Sequence, residues 1–296
     1  MDSVLSVRDI DAYAAEFGFS AAYCFAPLPE DGVPAEAGTL VLLVHSYVPG
    51  GKLADHFYEA SNAAYHAAIG MAKRIAEEKG MPTWHLPHVL LKPLCSRLPA
   101  FGRGKNTLNY LPGIGSRFCM ELLGLKDRID SSLQIPYDES VLPCGTCRAC
   151  EKACPGMAIS DDGFDKKRCL RYYMLNGKPM PLEYRDRIGG EGGTKGIIGC
   201  DICQRVCPAN IVSNLHYRED DPFTLDELLF CSGDTLECFG KTYGNNYAVR
   251  NRIISQAILA AVAMNRTDLK PQICKLLDSA SAVIRDHAAW AIEKMK

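Results

Sequence analysis

The chain reads as an α+β protein in three successive parts, and three observations support that reading. Residues 1–135 mix buried-strand and amphipathic-helix patterns, residues 136–221 hold a dense run of cysteines, and residues 222–296 carry helical apolar stripes. A length of 296 residues accommodates two or three domains. Hydrophobic content of 47% against 23% charged residues is that of a globular chain able to bury a core, which excludes a disordered one.

In the first part, Val7 to Phe17 carries apolar residues at helical spacing. Ser20 to Phe25 reads as a strand, and Thr39 to Val44 as an apolar strand buried on both faces. Asp55 to Glu78 is a long alanine-rich helix with Gly80 as its stop signal. Thr83 to Leu86 and Arg117 to Leu123 read as further strands. Phe101 to Thr107, with Gly102 and Gly104, is a loop. It is not a P-loop, because Lys105 is followed by Asn106 and the first glycine of that motif is missing. It is not a dinucleotide fingerprint either, since Thr107 stands at the third glycine position.

The second part carries the chemistry. Cys144, Cys147, Cys150 and Cys154 read C-x2-C-x2-C-x3-C before Pro155, and Cys200, Cys203 and Cys207 read C-x2-C-x3-C before Pro208. In two-cluster ferredoxins the first three cysteines of such a run ligate one [4Fe–4S] cluster and the fourth reaches the other. A tight turn can aim three thiolates at one cluster, and the Cys-Pro step then carries the fourth sulfur away. On that rule cluster one takes Cys144, Cys147, Cys150 and Cys207. Cluster two takes Cys154, Cys200 and Cys203 and lacks a ligand, because Ile197 stands where a regular second motif has cysteine. Cys169 is the nearest unassigned candidate and becomes the fourth ligand. Zinc favours pairs of C-x2-C, and disulfides belong to small secreted scaffolds, so neither explains this run as well. The remaining six, Cys24, Cys95, Cys119, Cys231, Cys238 and Cys274, lie mostly in apolar stretches and read as small core hydrophobes.

The third part is helical. Val249, Ile253, Ile254, Ala257, Ile258 and Ala261 form one stripe; Ile273, Leu276 and Leu277 a second; Val283, Ala288, Ala291 and Ile292 a third. Val249-Arg250-Asn251 and Ile284-Arg285-Asp286 recur 35 residues apart, as in a short HEAT-like repeat.

No apolar run approaches the roughly 18 residues of a membrane span, which argues against a membrane partner. The start, Met1-Asp2-Ser3-Val4, has no signal-peptide or twin-arginine character, so a cytoplasmic setting with reduced thiols is expected. A net charge of −2 gives no global basic field for nucleic acid. Arg168, Arg171, Arg185, Arg187, Lys195 and Arg205 gather around the cysteine motifs and read as a solvated face that can serve as a local basic patch.

Taken together, these motifs resemble the epoxyqueuosine reductases, cobalamin-dependent iron–sulfur enzymes that reduce epoxyqueuosine in tRNA to queuosine. The resemblance lies in Glu16-Phe17-Gly18-Phe19, Gly104-Lys105-Asn106-Thr107, Gly115-Ser116-Arg117-Phe118, Glu121-Leu122-Leu123, the full cysteine pattern with Gly199-Cys200-Asp201-Ile202-Cys203-Gln204, and Ile284 to Ala291. It implies an N-terminal corrinoid-reductase-like domain (1–135), a two-cluster ferredoxin-like domain (136–221) and a HEAT-like segment (222–296). It further implies a base-off cobalamin over the first domain, contacted by Gly104, Lys105, Asn106 and Thr107, with the nearer cluster feeding low-valent cobalt. No D-x-H-x-x-G run offers a lower cobalt ligand. The family's proton-donating aspartate, about twenty residues before its G-K-N-T loop, is replaced by His85 on an ungapped count, and a histidine can deliver a proton near neutral pH.

The resemblance thus implies a monomeric reductase that takes electrons from reduced ferredoxin or a flavodoxin-type donor, with tRNA as a candidate partner. The alternatives are a ferredoxin-like electron carrier, or a corrinoid reductase acting on another electrophilic small molecule, such as a dehalogenase. A carrier needs only the cluster segment, so the long N-terminal part argues for an enzyme.

Overall fold

The computed structural model describes residues 5–129, 144–210 and 220–295. The chain forms two compact units that interleave along the sequence. The first comprises Met1–Tyr47, Ala60–Gly104 and Leu108–Gly145, and the second Val48–Glu59, Lys105–Thr107 and Thr146–Lys296. These bounds follow spatial contacts, so they run differently from the sequence divisions at 135 and 221; the first of those points lies outside the described residues.

The first unit is built on a four-stranded antiparallel sheet in the order β1-β2-β6-β3. Helix α1 (Val7–Glu16) begins at a capping box in which Ser6 and Asp9 satisfy each other's backbone amides. Strand β1 (Ala21–Phe25) pairs with β2 (Thr39–Ser46), whose run from Thr39 to Val44 is buried on both faces. Helix α2 (His56–Lys79) and strand β3 (Thr83–His85) follow, with α3 (Leu91–Cys95) after them. A short hairpin, β4 (Gly102–Arg103) and β5 (Asn109–Tyr110), frames the glycine-rich loop that the sequence left irregular. Two-residue strands carry too little alternation to be read from sequence. Strand β6 (Phe118–Leu125) is central, pairing with both β2 and β3. Leu40, Leu42 and Leu122 pack with Leu86, Leu94, Cys95 and Leu98 on one side of this sheet.

The second unit holds the cysteine motifs and the C-terminal helices. Helix α4 (Ala149–Ala153) is followed by a small hairpin, β7 (Ile159–Ser160) and β8 (Gly163–Phe164), then by α5 (Leu170–Asn176), α6 (Leu182–Arg185) and α7 (Ile202–Arg205). Helices α8 (Leu225–Phe230), α9 (Gly233–Tyr243), α10 (Arg250–Ala263), α11 (Lys270–Lys275) and α12 (Ala282–Lys294) complete it. One core joins Leu53, Ala54 and Tyr58 to Leu170, Met174, Ile188, Ile197, Ile198 and the buried faces of α8 to α12. Helix α10 is buried continuously from Ile253 to Ala261, as expected of a central helix apolar nearly all round.

Several sequence readings are corrected here. Ile284 rather than Val283 is buried on α12, and His287 joins Ala288 and Ala291 inside. Leu277 is exposed, so the second stripe rests on Ile273. Cys95, Cys119 and Cys231 are buried as core hydrophobes, but Cys238 and Cys274 are exposed on the outer faces of their helices. Arg185 is buried, with its guanidinium bonded to Met180 O and the Asp286 carboxylate. Lys195 Nζ lies 2.7 Å from Gly51 O, and Arg205 is tied to Gly193 O at 2.5 Å. The basic face around the motifs is therefore thinner than the residue count implies, with Arg168, Arg171 and Arg187 exposed.

Candidate iron–sulfur and proton-delivery site

Five of the cysteine ligands predicted from sequence, Cys150, Cys154, Cys169, Cys200 and Cys203, are electrostatic neighbours in the second unit. Burial pushes the Cys203 thiol up to about 12, and Cys169, Cys150 and Cys154 add to that shift. Burial also raises Cys200, with Cys203 and Cys169 contributing, and raises Cys169, with Cys154 contributing. Cys169 and Cys203 thus each neighbour both Cys154 and Cys200, and Cys203 also neighbours Cys150 of the other set. No three His, Cys, Asp or Glu side chains among the described residues converge as ligands of a single ion.

Backbone geometry presents these sulfurs. Cys154 follows α4, and Gly156 lets the chain turn sharply, since a Cβ there would lie 1.8 Å from Arg168 O. Cys169 caps α5, while Cys203 lies within α7 and Cys200 precedes it. Gly199, at φ +107°, approaches Asp55 so closely that a Cβ would lie 2.5 Å from the Asp55 Cβ. Ala158 N–H donates to Cys154 Sγ at 3.3 Å. An amide donor of this kind stabilises thiolate over thiol and suits the residue to iron–sulfur ligation. Cys144, Cys147, Cys150 and Cys207 are partly exposed and free of disulfides.

Lys105 and Asn106 belong to the same unit. Lys105 Nζ lies 3.1 Å from Glu151 Oε1, on α4 between Cys150 and Cys154, and 2.9 Å from Asp161 Oδ1 at the β7–β8 turn. Arg148 pairs with the same two carboxylates. Asn106 is 8% exposed. Thr107 adopts a left-handed backbone at φ 63°, an outlying conformation for a β-branched residue. Gly104 belongs to the first unit, where its N–H donates to Leu108 O at 2.8 Å.

His85, also in the first unit, ends β3. Its Nε2 is 2.6 Å from Glu121 Oε2, with side-chain exposures of 9% and 11%. The sheet register explains the pairing: His85 faces Leu123 across the β3–β6 ladder, and Glu121 is the diagonal neighbour two residues away on the same face. Tyr65 meets the imidazole edge-on at 4.9 Å. With Glu121 ionised, Nε2 carries the proton and donates it, leaving Nδ1 as the second functional nitrogen. Sequence reasoning missed Glu121 as a partner, although a lone carboxylate within the apolar run Phe118–Leu125 is the kind of signal that marks a buried polar role.

Residues 143–210 match a family model described as a 4Fe-4S double cluster binding domain. The chain is 35% identical over 207 residues to the epoxyqueuosine reductase of Lactococcus garvieae (strain Lg2), covering 65% of this chain and 55% of that protein. It is 32% identical over 203 residues to the epoxyqueuosine reductase of Bacillus cereus, covering 65% and 50%. The chain thus spans about half the length of the curated relatives it matches. Its fold superimposes on a crystal structure of epoxyqueuosine reductase with an epoxyqueuosine-modified tRNA stem loop at a TM-score of 0.73, covering 97% of this chain and 89% of that one at 19% identity. The α+β architecture is the one shared with that structure, and the cysteine-rich segment is a [4Fe–4S] double-cluster domain. By its sequence and its double-cluster segment, this chain is similar to the epoxyqueuosine reductases.

Proposed function

We propose that this chain is a cobalamin-dependent iron–sulfur oxidoreductase that reduces epoxyqueuosine in tRNA to queuosine. The observation that carries this reading is the pairing of His85 with Glu121. An electron carrier has no use for a held imidazole. Removing an epoxide oxygen as water consumes two electrons and two protons, so a reductase of this kind needs a proton source. Glu121 fixes the ring by accepting from Nε2, so Nδ1 is the atom that takes up and delivers a proton. Tyr65 packs against the ring and limits its rotation.

Cys144, Cys147, Cys150 and Cys207 would hold one cluster, and Cys154, Cys169, Cys200 and Cys203 the other. The clusters supply electrons one at a time, and bound corrin supplies a strongly reducing metal centre. Its rim would meet Gly104, Lys105, Asn106 and Thr107. A corrin here would be base-off and held at its edge. The electron source would be reduced ferredoxin or a flavodoxin-type protein, and the chain would act as a monomer. No helix among the described residues is long and apolar enough to cross a membrane, and the free cysteines accord with a reducing cytoplasm.

The test is anaerobic turnover of an epoxyqueuosine-containing tRNA stem loop with added cobalamin and a reduced donor. Queuosine formation, with binding that weakens steeply as salt rises, is the expected result. Clusters that reduce a partner protein while the modified nucleoside stays intact would identify a carrier instead.

A further inference from the structure

We propose that a reduced flavodoxin-type protein, an acidic carrier with its flavin at the surface, docks on the loop between Cys154 and Cys169. There it would pass one electron to the cluster that those cysteines hold. The flavin is oxidised by one electron, the cluster is reduced by one, and no bond breaks. This docking presupposes the reading of Cys154 and Cys169 as ligands of one cluster, and of the chain as a reductase fed by a protein donor.

The loop leaves α4 at Cys154, runs through the β7–β8 hairpin and returns through a 3-10 turn, Lys166–Arg168, to Cys169. Its base is closed. Asp165 N–H donates to Ala158 O at 2.9 Å, and Arg168 Nε donates to Gly156 O at 3.0 Å. The two cysteines therefore stand at the foot of the loop, while every residue from 160 to 168 is exposed. Electron tunnelling falls off steeply with distance, so a carrier must sit against a segment that holds cluster ligands. This loop is bounded by two of them.

Charge and apolar surface select the partner. Lys152 on α4 and Lys166, Lys167 and Arg168 are all exposed. The ammonium groups of Lys152, Lys166 and Lys167 pair with no carboxylate among the described residues. Of the carboxylates on the same stretch, Glu151 and Asp161 are matched by Lys105 and Arg148. Asp162 and Asp165 remain against the four cations, so the loop is locally positive although the chain's net charge is −2. Such a patch steers an anionic partner. Beside the cations, Met157 is 65% exposed and Phe164 38% exposed. Met157 has a left-handed backbone at φ 47°, strain of the kind that gathers at functional sites. An RNA phosphate backbone would use the cations alone. A flavin edge, apolar and ringed by carboxylates, uses both, and a thioether packs well against an aromatic ring.

The experiment uses the full chain with both clusters loaded, under anaerobic conditions, and purified flavodoxin as the probe. Calorimetry measures binding of oxidised flavodoxin, and stopped flow measures bleaching of the clusters by reduced flavodoxin, each across a range of salt. The double variant Lys166→Glu, Lys167→Glu should weaken binding and slow bleaching about tenfold to a hundredfold at low salt, with the gap closing as salt rises. Bleaching by dithionite, which needs no docking, should be unchanged. Met157→Asn suits a left-handed backbone and should weaken binding while leaving its salt dependence intact. Native flavodoxin binding and bleaching in the double variant at full iron content would overturn the proposal. So would a loss confined to an acidic ferredoxin, or weaker binding of the tRNA stem loop with native flavodoxin rates, which would make the strip an RNA contact. If charge reversal releases iron, Lys166→Ala with Lys167→Ala replaces it, and native flavodoxin rates there overturn the proposal equally. Clusters that take electrons from flavodoxin through these lysines while epoxyqueuosine stays intact would support the docking and sink the substrate reading alone.

Discussion

Lowering the pH from 7.5 to 5 should destabilise the second unit through His287. Its ring is fully buried on α12: Nδ1 donates to Ser255 O at 2.9 Å, and Nε2 accepts the Met180 N–H at 3.0 Å. Both nitrogens are satisfied only by the neutral ring. A proton on Nε2 would point at another donor in a site from which water is excluded. Burial is the main cause that pushes its pKa down from 6.5 to about 4, and the nearby Arg185 charge adds to it. The folded state therefore binds this proton less readily than the unfolded chain. Stability from the neutral ring is present above pH 6.5 and is lost as pH falls towards 4. At 1.36 kcal/mol per pH unit the gap corresponds to about 3 kcal/mol in total, of which about 2 kcal/mol is lost by pH 5. His287→Gln removes the titrating group and keeps one donor and one acceptor. Anaerobic urea unfolding followed by circular dichroism, at pH 7.5 and 5 for both proteins, isolates its share from that of the carboxylates. The variant should lose about 2 kcal/mol less than the native chain between the two pH values. Equal losses would refute the argument.

Other substitutions probe the site. Cys169→Ala should reduce iron from about eight per chain towards four or convert one cluster, while Cys274→Ala, on an exposed face, should leave both intact; unchanged iron in the Cys169 variant would remove it from the ligand set. Gly156→Ala forces a Cβ onto Arg168 O and should cost about 1–3 kcal/mol, read as a lower unfolding midpoint together with poorer cluster loading. His85→Ala should lower queuosine formation by about 10²–10⁴-fold at full iron content. His85→Asp should retain activity. Glu121→Gln should also slow turnover, because a carboxamide can donate to Nε2 and so favour the other tautomer; normal turnover in the alanine variant would place proton delivery elsewhere.

The long elements were legible because periodicity is a local signal. The apolar run of β2, the alanine-rich α2 and the stripe of α10 each carry enough residues to state their type. The cysteine spacing is equally local, which is why the double-cluster segment could be read directly. What escaped depends on distant partners. Arg185 reads as a surface cation until Asp286, 101 residues later, is seen to accept it. His287 is one polar letter in an apolar stripe until Met180 and Ser255 supply its bonds. Glu121 becomes more than an interruption of β6 only when the register brings His85 beside it. Cys238 and Cys274 were misplaced because composition around a cysteine says little about which way a helix faces.

The interleaving of the two units has a consequence for synthesis and for dissection. The cluster unit takes part of its core from Leu53, Ala54 and Tyr58, and the Asp221 carboxylate clasps the amides of Lys52, Leu53 and Ala54 across as many as 169 residues. On a ribosome working from the N-terminus, that early strip must wait, unpaired, until the helices and loops that receive it have emerged. A fragment begun at Cys144 would lack the strip and the Lys105–Thr107 tripeptide, and would have to fold with a gap in its interior. The electron-transfer module is therefore not a detachable cassette. A lineage that shed its N-terminal half would lose the means of building the clusters' own scaffold.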